Sequence, residues 1–248
     1  MIIFAVVGFA VVMLAAYVRR LPEKYPDFCV GVAIPIFCLL LLPIGAFTGW
    51  LRPITLDAAF RRWDLALGMD GFAFTRWLLA NRCYVLVGPV YYSLPLIAAL
   101  AWALERRALL LRSVVIGALL AFPLYLLLPA AGPQYAFLNF PDNNSLPGLV
   151  AWVHPRNCFP SMHLTWAILV AMNIRNARWR WFFVSYATLM GFATVASGEH
   201  YFIDEIAAVP FAFAVQKVAV LSAKYVPGAR DAQRNGLRVT QVRPYRVS

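Results

Sequence analysis

Seven stretches of this chain are too long and too apolar for a water-soluble domain: about 2–18, 28–50, 83–104, 108–130, 160–174, 181–197 and 202–223. Crossing roughly 30 Å of hydrocarbon takes about 20 apolar residues in a helix. Lipid offers the backbone no hydrogen-bond partners, so each spanning segment must satisfy its own. The runs are continuous rather than alternating, and only helices suit them. The expected fold is an all-α integral membrane bundle of six to seven transmembrane helices. Only 13% of the residues are charged, and the mean hydropathy of +0.69 agrees. The first run has no basic segment ahead of it and is followed by Arg19-Arg20, so it reads as an anchor rather than a cleaved signal. The 160–174 run is short and is expected to begin below the membrane surface.

Basic residues set the orientation, because cytoplasmic loops hold Lys and Arg in excess. Arg106-Arg107, the group Arg175, Arg178 and Arg180, and the tail from Lys224 onward go inside. The loops at 131–159 and 198–201 are then outside, on the extracytoplasmic or lumenal face of a cytoplasmic membrane or equivalent endomembrane. The segment 51–82 is the exception, carrying five Arg on the outer side. Asp57, Asp64 and Asp70 dilute that charge, and apolar residues recur at helical spacing. It reads as amphipathic helices lying along the interface. Three regions follow: N-terminal spans at 1–53, a catalytic membrane unit at 54–223 and a basic cytoplasmic tail at 224–248. The net charge of +11 sits in short clusters beside predicted spans. That pattern fits topology and anionic headgroups, not nucleic acid. Cys29, Cys38, Cys83 and Cys158 show no paired spacing and read as apolar filling.

All three histidines, His154, His163 and His200, fall in or beside the two outer loops. His200 and Asp204 are four apart, so a helix starting near His200 puts them on one face, where the carboxylate can fix the imidazole tautomer. An interfacial ion pair or a capping acid accounts for that spacing equally well. Pro160-Ser161 is a helix start with a preferred N-cap, and its first-turn N–H groups make an anion site. His163 stands in that same turn, placed to protonate a departing oxygen. Arg156 is the outer loop's cation and a candidate phosphate partner, or else a headgroup contact. Glu199 is either a solvated loop acid or a contact for acceptor hydroxyls. Trp152, Phe140, Tyr135 and Tyr201 read as interfacial belt residues. A metal site among His154, His163, Glu199, His200 and Asp204 is disfavoured, since no common ligand spacing is present.

"FPSMH" at 159–163 and "GEHYFID" at 198–204 together resemble the second and third signature motifs of the type 2 phosphatidic acid phosphatase (PAP2) superfamily, which also includes vanadium haloperoxidases. The wording "HYFID", and "LYLLLPAAGPQY" upstream, is similar to the inositol phosphorylceramide synthase branch. The resemblance covers about 54–222. It implies that His200 attacks phosphorus to form a phosphohistidine, Asp204 orients it, and His163 protonates the leaving alcohol and later deprotonates the acceptor. Ser161 and neighbouring amides would hold phosphate oxygens. It implies no metal and no other cofactor. The chain departs from the family's pattern in two places. Ala193 and Thr194 stand where the third motif has Ser-Arg, and Gln134 and Tyr135 stand where the first has cationic residues. Arg156 and Gln134, with Arg112 in the fourth span, are the expected substitutes at the phosphate. Glu199 and Tyr135 are candidate acceptor or headgroup contacts.

The expected function is therefore a membrane-embedded phosphotransferase or phosphatase acting on a lipid phosphate ester, tilted to headgroup transfer. Its expected partners are the lipid phosphate, a hydroxyl acceptor (lipid, polyol or water) and the surrounding membrane. The alternatives are a phosphatase releasing inorganic phosphate and, in another class, a lipid or ion transporter in which Arg112, Asp204, Glu205 and His200 line a path.

Overall fold

The computed structural model describes residues 45–105 and 108–224, so the predicted spans at 2–18 and most of 28–50 lie outside the described residues. After a helical stretch at 45–51, the chain forms α1 (Asp57–Ala66), α2 (Gly71–Ala80), a 3-10 turn (Cys83–Leu86), α3 (Val87–Tyr92), α4 (Leu94–Glu105), α5 (Ala108–Leu127), the single turn α6 (Pro133–Ala136), α7 (Met162–Asn173), α8 (Ala177–Ala196) and α9 (Phe202–Lys224). The described residues contain no strand beyond one isolated bridge, so the all-helical expectation holds.

Of the five hydropathy runs that fall within the described residues, fewer form spans than the sequence predicts. Among the described residues, Leu109–Leu127 and Phe202–Ser222 are long and apolar enough to cross a membrane. The pair Cys83–Tyr92 and Leu94–Glu105, bent by 53°, makes a third if it counts as one span. The 160–174 run folds as only twelve residues, Met162–Asn173. The run at 181–197 sits in a twenty-residue helix whose first turns carry Arg178, Arg180 and three aromatic residues. A window average joins apolar loop residues to helix ends, which is why runs overcount spans.

α7 is the buried axis of the bundle, with α5, α8 and α9 packed around it. Leu169 and Val170 on α7, Phe183 and Met190 on α8 and Val215 on α9 are completely enclosed. The outer surface is apolar, with Leu96, Leu127, Trp181, Leu189 and Phe213 exposed. Lipid is the solvent that makes this arrangement favourable.

The predicted amphipathic segment is helical, but α1 faces the opposite way from a soluble helix. It buries Asp57, Phe60 and Asp64 and exposes Trp63 and Leu65. Its acids act as acceptors for backbone donors far along the chain. Asp57 accepts from the Ala131 and Gly132 N–H groups at 2.9–3.1 Å and from the Tyr201 hydroxyl at 2.8 Å. Asp64 accepts from the Phe202 and Ile203 N–H groups, both at 2.8 Å, and so caps α9 from outside that helix. Burial pushes the Asp64 carboxyl up to about 6, against the two N–H bonds that favour its charge. Asp70 serves its own helix, accepting from the Phe72 and Ala73 N–H groups at the start of α2. The three Asp residues that the sequence reading treats as charge dilution are therefore structural acceptors. Between them, Phe60 stacks on Phe159 and Tyr201, with centroids 5.4 and 5.7 Å away. Tyr201 is thus core, a correction to its expected place in an interfacial belt; Trp152 does lie exposed.

Candidate active site

Ser161 starts α7 as its N-cap, its hydroxyl oxygen accepting from the Leu164 N–H at 3.3 Å. The first turn of α7 carries His163. The second half of the site comes from the loop between α8 and α9. Gly198 turns that loop with φ of +77°, and Gly132, at φ of +100°, passes so close to the Glu199 carbonyl that a Cβ would clash with it. Glycine suits both places because it adopts positive φ without strain. The Asp57 carboxylate holds Gly132 by its N–H, and Asp64 holds the first turn of α9. α1 therefore sets the position of His200 and Asp204 without lining the larger cavity that His200 shares with His163.

His163 and His200 face each other with ring centroids 5.9 Å apart. Both line a cavity of about 140 Å³, together with Tyr91, Tyr125, Asn157, Cys158, Trp166 and Glu199. His163 also stacks on Tyr91 at 4.4 Å. His200 Nδ1 lies 3.5 Å from Asp204 Oδ2, and both groups are buried. The same carboxylate oxygen accepts from the Tyr201 N–H at 2.7 Å and the Cys158 thiol at 2.8 Å. Burial alone would depress His200, but the bond to Asp204 and the charges of Glu205, Asp204 and Glu199 together hold it above its ordinary value of 6.5. Burial pushes the Cys158 thiol well up, with Asp204 and Asp57 adding to the shift.

The other expected site residues sort into two groups. Gln134, Tyr135 and Glu199 do come together: the Gln134 amide and the Tyr135 hydroxyl, the latter at 2.8 Å, both donate to Glu199 Oε1. Tyr135 also covers His154, with centroids 4.3 Å apart. Ser161 caps α7 as the sequence reading expects, whereas Arg156 does not stand at the cavity. Ser161 is fully buried, its hydroxyl taken up by the cap, while Met162 and His163 reach the cavity. The Arg156 guanidinium is fully buried and donates to the carbonyls of Arg52, Val150, Ala151 and His154 at 2.8–3.4 Å. It clamps the loop, and its donors are spent on backbone rather than phosphate. Arg112 lies six residues before Ala118, where α5 first lines the cavity, or about 9 Å along the axis. Arg112 does not line the cavity.

A clamp that needs several donors in a plane tolerates no ammonium replacement. Arg156→Lys should therefore lower stability by about 2 kcal/mol, as buried carbonyls lose donors. Thermal unfolding in detergent measures this. A raised KM for phosphorylated substrate with unchanged stability would return Arg156 to the phosphate.

A family model described as the PAP2 superfamily matches residues 58–218. The chain belongs to the PAP2 superfamily. Its members include phosphatases and phosphotransferases acting on phosphate esters. No curated protein and no solved structure matches the chain. The PAP2 match spans both histidine motifs and α1 from its second residue, so Asp64 lies within the matched region and Asp57 one residue before it. It also makes the third-motif departure concrete. Thr194, at the place where the resemblance expects Arg, donates to Glu205 Oε1 at 2.6 Å inside the bundle. A neutral donor and a buried carboxylate fill that place.

Sequence reasoning missed Cys158, Asp57 and Asp64. Cys158 gives no spacing signal, though its place three residues before Ser161 puts it within reach of the second motif. The partners of Asp57 and Asp64 are 74 or more residues away, and only the fold reveals them.

Proposed function

We propose that the protein is a PAP2 lipid phosphotransferase that moves a phosphate-bearing headgroup to a hydroxyl acceptor through a phosphohistidine on His200. The observation that carries the reading is a site shaped like an amphiphile. The histidine cavity adjoins an apolar groove of about 210 Å³ lined by Leu94, Ala98, Trp102, Leu110, Val114 and Val170. Tyr91, His163 and Trp166 border both spaces. A phosphate ester between the histidines has room for a hydrocarbon chain alongside α4, α5 and α7.

His200 Nδ1–H donates to Asp204, which leaves the Nε2 lone pair to attack phosphorus. The first-turn N–H groups of α7 receive the phosphate oxygens. His163, across the cavity, protonates the departing oxygen and then takes the proton of the acceptor hydroxyl as the phosphoryl group leaves His200. The cluster of Gln134, Tyr135 and Glu199 at the mouth supplies polar contacts for a hydroxylated headgroup. The site faces the extracytoplasmic or lumenal side, with the tail cytoplasmic, by the distribution of Arg and Lys. Transfer rather than hydrolysis rests on the "HYFID" wording and its similarity to inositol phosphorylceramide synthases. Among the described residues no Arg or Lys lines the cavity, which favours a phosphodiester or monophosphate over a diphosphate.

The test is purified protein with phosphate-labelled lipids, with and without ceramide, diacylglycerol and polyol acceptors. A new labelled lipid that needs an acceptor supports transfer. Free phosphate regardless of acceptor makes the protein a phosphatase, and turnover of neither kind removes the lipid reading.

The raised His200 value gives a pH dependence. Only the neutral imidazole attacks, so labelling of His200 by a phosphodiester lipid should rise with pH through a midpoint above 6.5. Glu199→Gln removes one carboxylate that holds the proton on, and should move the midpoint to lower pH. An unmoved midpoint in rapid-quench labelling would separate Glu199 from His200.

A further inference from the structure

We propose that Cys158, His200 and Asp204 form an inhibitory zinc site directly behind the nucleophile. The inhibitory effect rests on the reading of His200 as nucleophile; the site itself rests on geometry. One ligand atom from each residue lies within 4.8 Å of the other two, and all three residues are buried.

The edges of that triangle can be compared with those of a tetrahedral ion. Zinc bonds of about 2.3 Å to sulfur and about 2.0–2.2 Å to nitrogen and oxygen imply ligand separations of about 3.5 Å (S to N), 3.4 Å (N to O) and 3.6 Å (S to O). The observed separations are 3.6 Å from Cys158 Sγ to His200 Nδ1 and 3.5 Å from Nδ1 to Asp204 Oδ2. Two edges already fit. The third, 2.8 Å from Sγ to Oδ2, is a thiol hydrogen bond. It must open by about 0.8 Å when the ion takes the proton's place.

A second observation points to a ligand. Asp204 Oδ1 is buried without a hydrogen-bond partner, so the carboxylate has unused capacity to accept. Thiolate, imidazole and carboxylate together form a zinc donor set with an open fourth position. The 140 Å³ cavity lined by Cys158 and His200 gives the ion entry and a water for that position.

Binding balances as follows. The Cys158 thiol loses its proton to solvent as the zinc–sulfur bond forms. The His200 proton moves from Nδ1 to Nε2 as Nδ1 takes the metal, and Asp204 binds as carboxylate. Nε2 then carries a hydrogen and has no lone pair to offer phosphorus.

Metal-free full-length protein in detergent is titrated with Co²⁺ and then Zn²⁺. One equivalent of Co²⁺ should give a thiolate-to-cobalt charge-transfer band that Zn²⁺ bleaches. Cys158→Ala should lose the band and bind Zn²⁺ more than about 100-fold more weakly, since losing an outer-shell partner alone costs up to that much. Cys83→Ser should keep both. Cys158→Ser, of nearly the same size, replaces the alanine variant if that one does not purify. Zn²⁺ should also block lipid turnover by the wild type, reversibly with chelator. No charge-transfer band, or equal Zn²⁺ affinity in the Cys158 variant, overturns the site. A band with undiminished turnover overturns the inhibitory role. The lipid-panel result is read from metal-free protein and stands or falls separately.

Discussion

His200→Ala should abolish the labelled phosphoenzyme and reduce turnover by a factor of about 10⁴ or more, the scale on which losing a nucleophile disables a multi-residue catalytic unit. The expectation follows from the arrangement of the ring. Nδ1 faces the Asp204 oxygen at 3.5 Å, so the other nitrogen borders the cavity opposite His163. Alanine there leaves no atom to accept phosphorus, and water alone would have to attack from the same direction. His163→Ala should behave differently. It removes the proton donor and keeps the nucleophile, so His200 should still be labelled slowly by a lipid analogue with a good leaving group. Acid-labile, base-stable radiolabel on the protein reads both variants. Label persisting in His200→Ala would move the nucleophile elsewhere.

Asp57→Ala should cost about 3 kcal/mol or more of stability, though Asp57 does not line the histidine cavity. Its carboxylate accepts from two backbone N–H groups and one phenol, all buried, and each donor left without a partner costs about 1–3 kcal/mol. Those donors belong to the turn at Ala131–Gly132 and to Tyr201, next to His200, so turnover should fall together with stability. Asp57→Asn keeps an acceptor oxygen and the shape, and should lie between the two. Thermal unfolding in detergent, followed by near-UV circular dichroism, measures the loss. Wild-type stability in Asp57→Ala would mean that water satisfies the three donors.

The two halves of the proposed site are legible in the sequence because their geometry is local. Ser161 and His163 share one helical turn, and His200 and Asp204 are four residues apart, so helix periodicity alone puts each pair together. The helical class is legible too, because lipid forces the backbone to satisfy itself within each segment. What brings the two halves face to face is not local. α7 and α9 pack directly on each other, with the Ser161 N–H donating to the Asp204 carbonyl at 3.3 Å, and the loop that carries His200 is fixed by α1 across more than 130 residues of chain. No periodicity encodes that Asp64 caps α9 or that Asp57 holds Gly132. Nor does any encode that Arg156 spends its guanidinium on carbonyls, or that Cys158 rests on the Asp204 carboxylate. By itself the sequence determined a helical membrane protein with two histidine motifs, which carry the proposed phosphoryl site. The tertiary structure decided which charges serve the scaffold, because a buried polar group is defined by the partner that satisfies it, and here those partners lie far away in the chain.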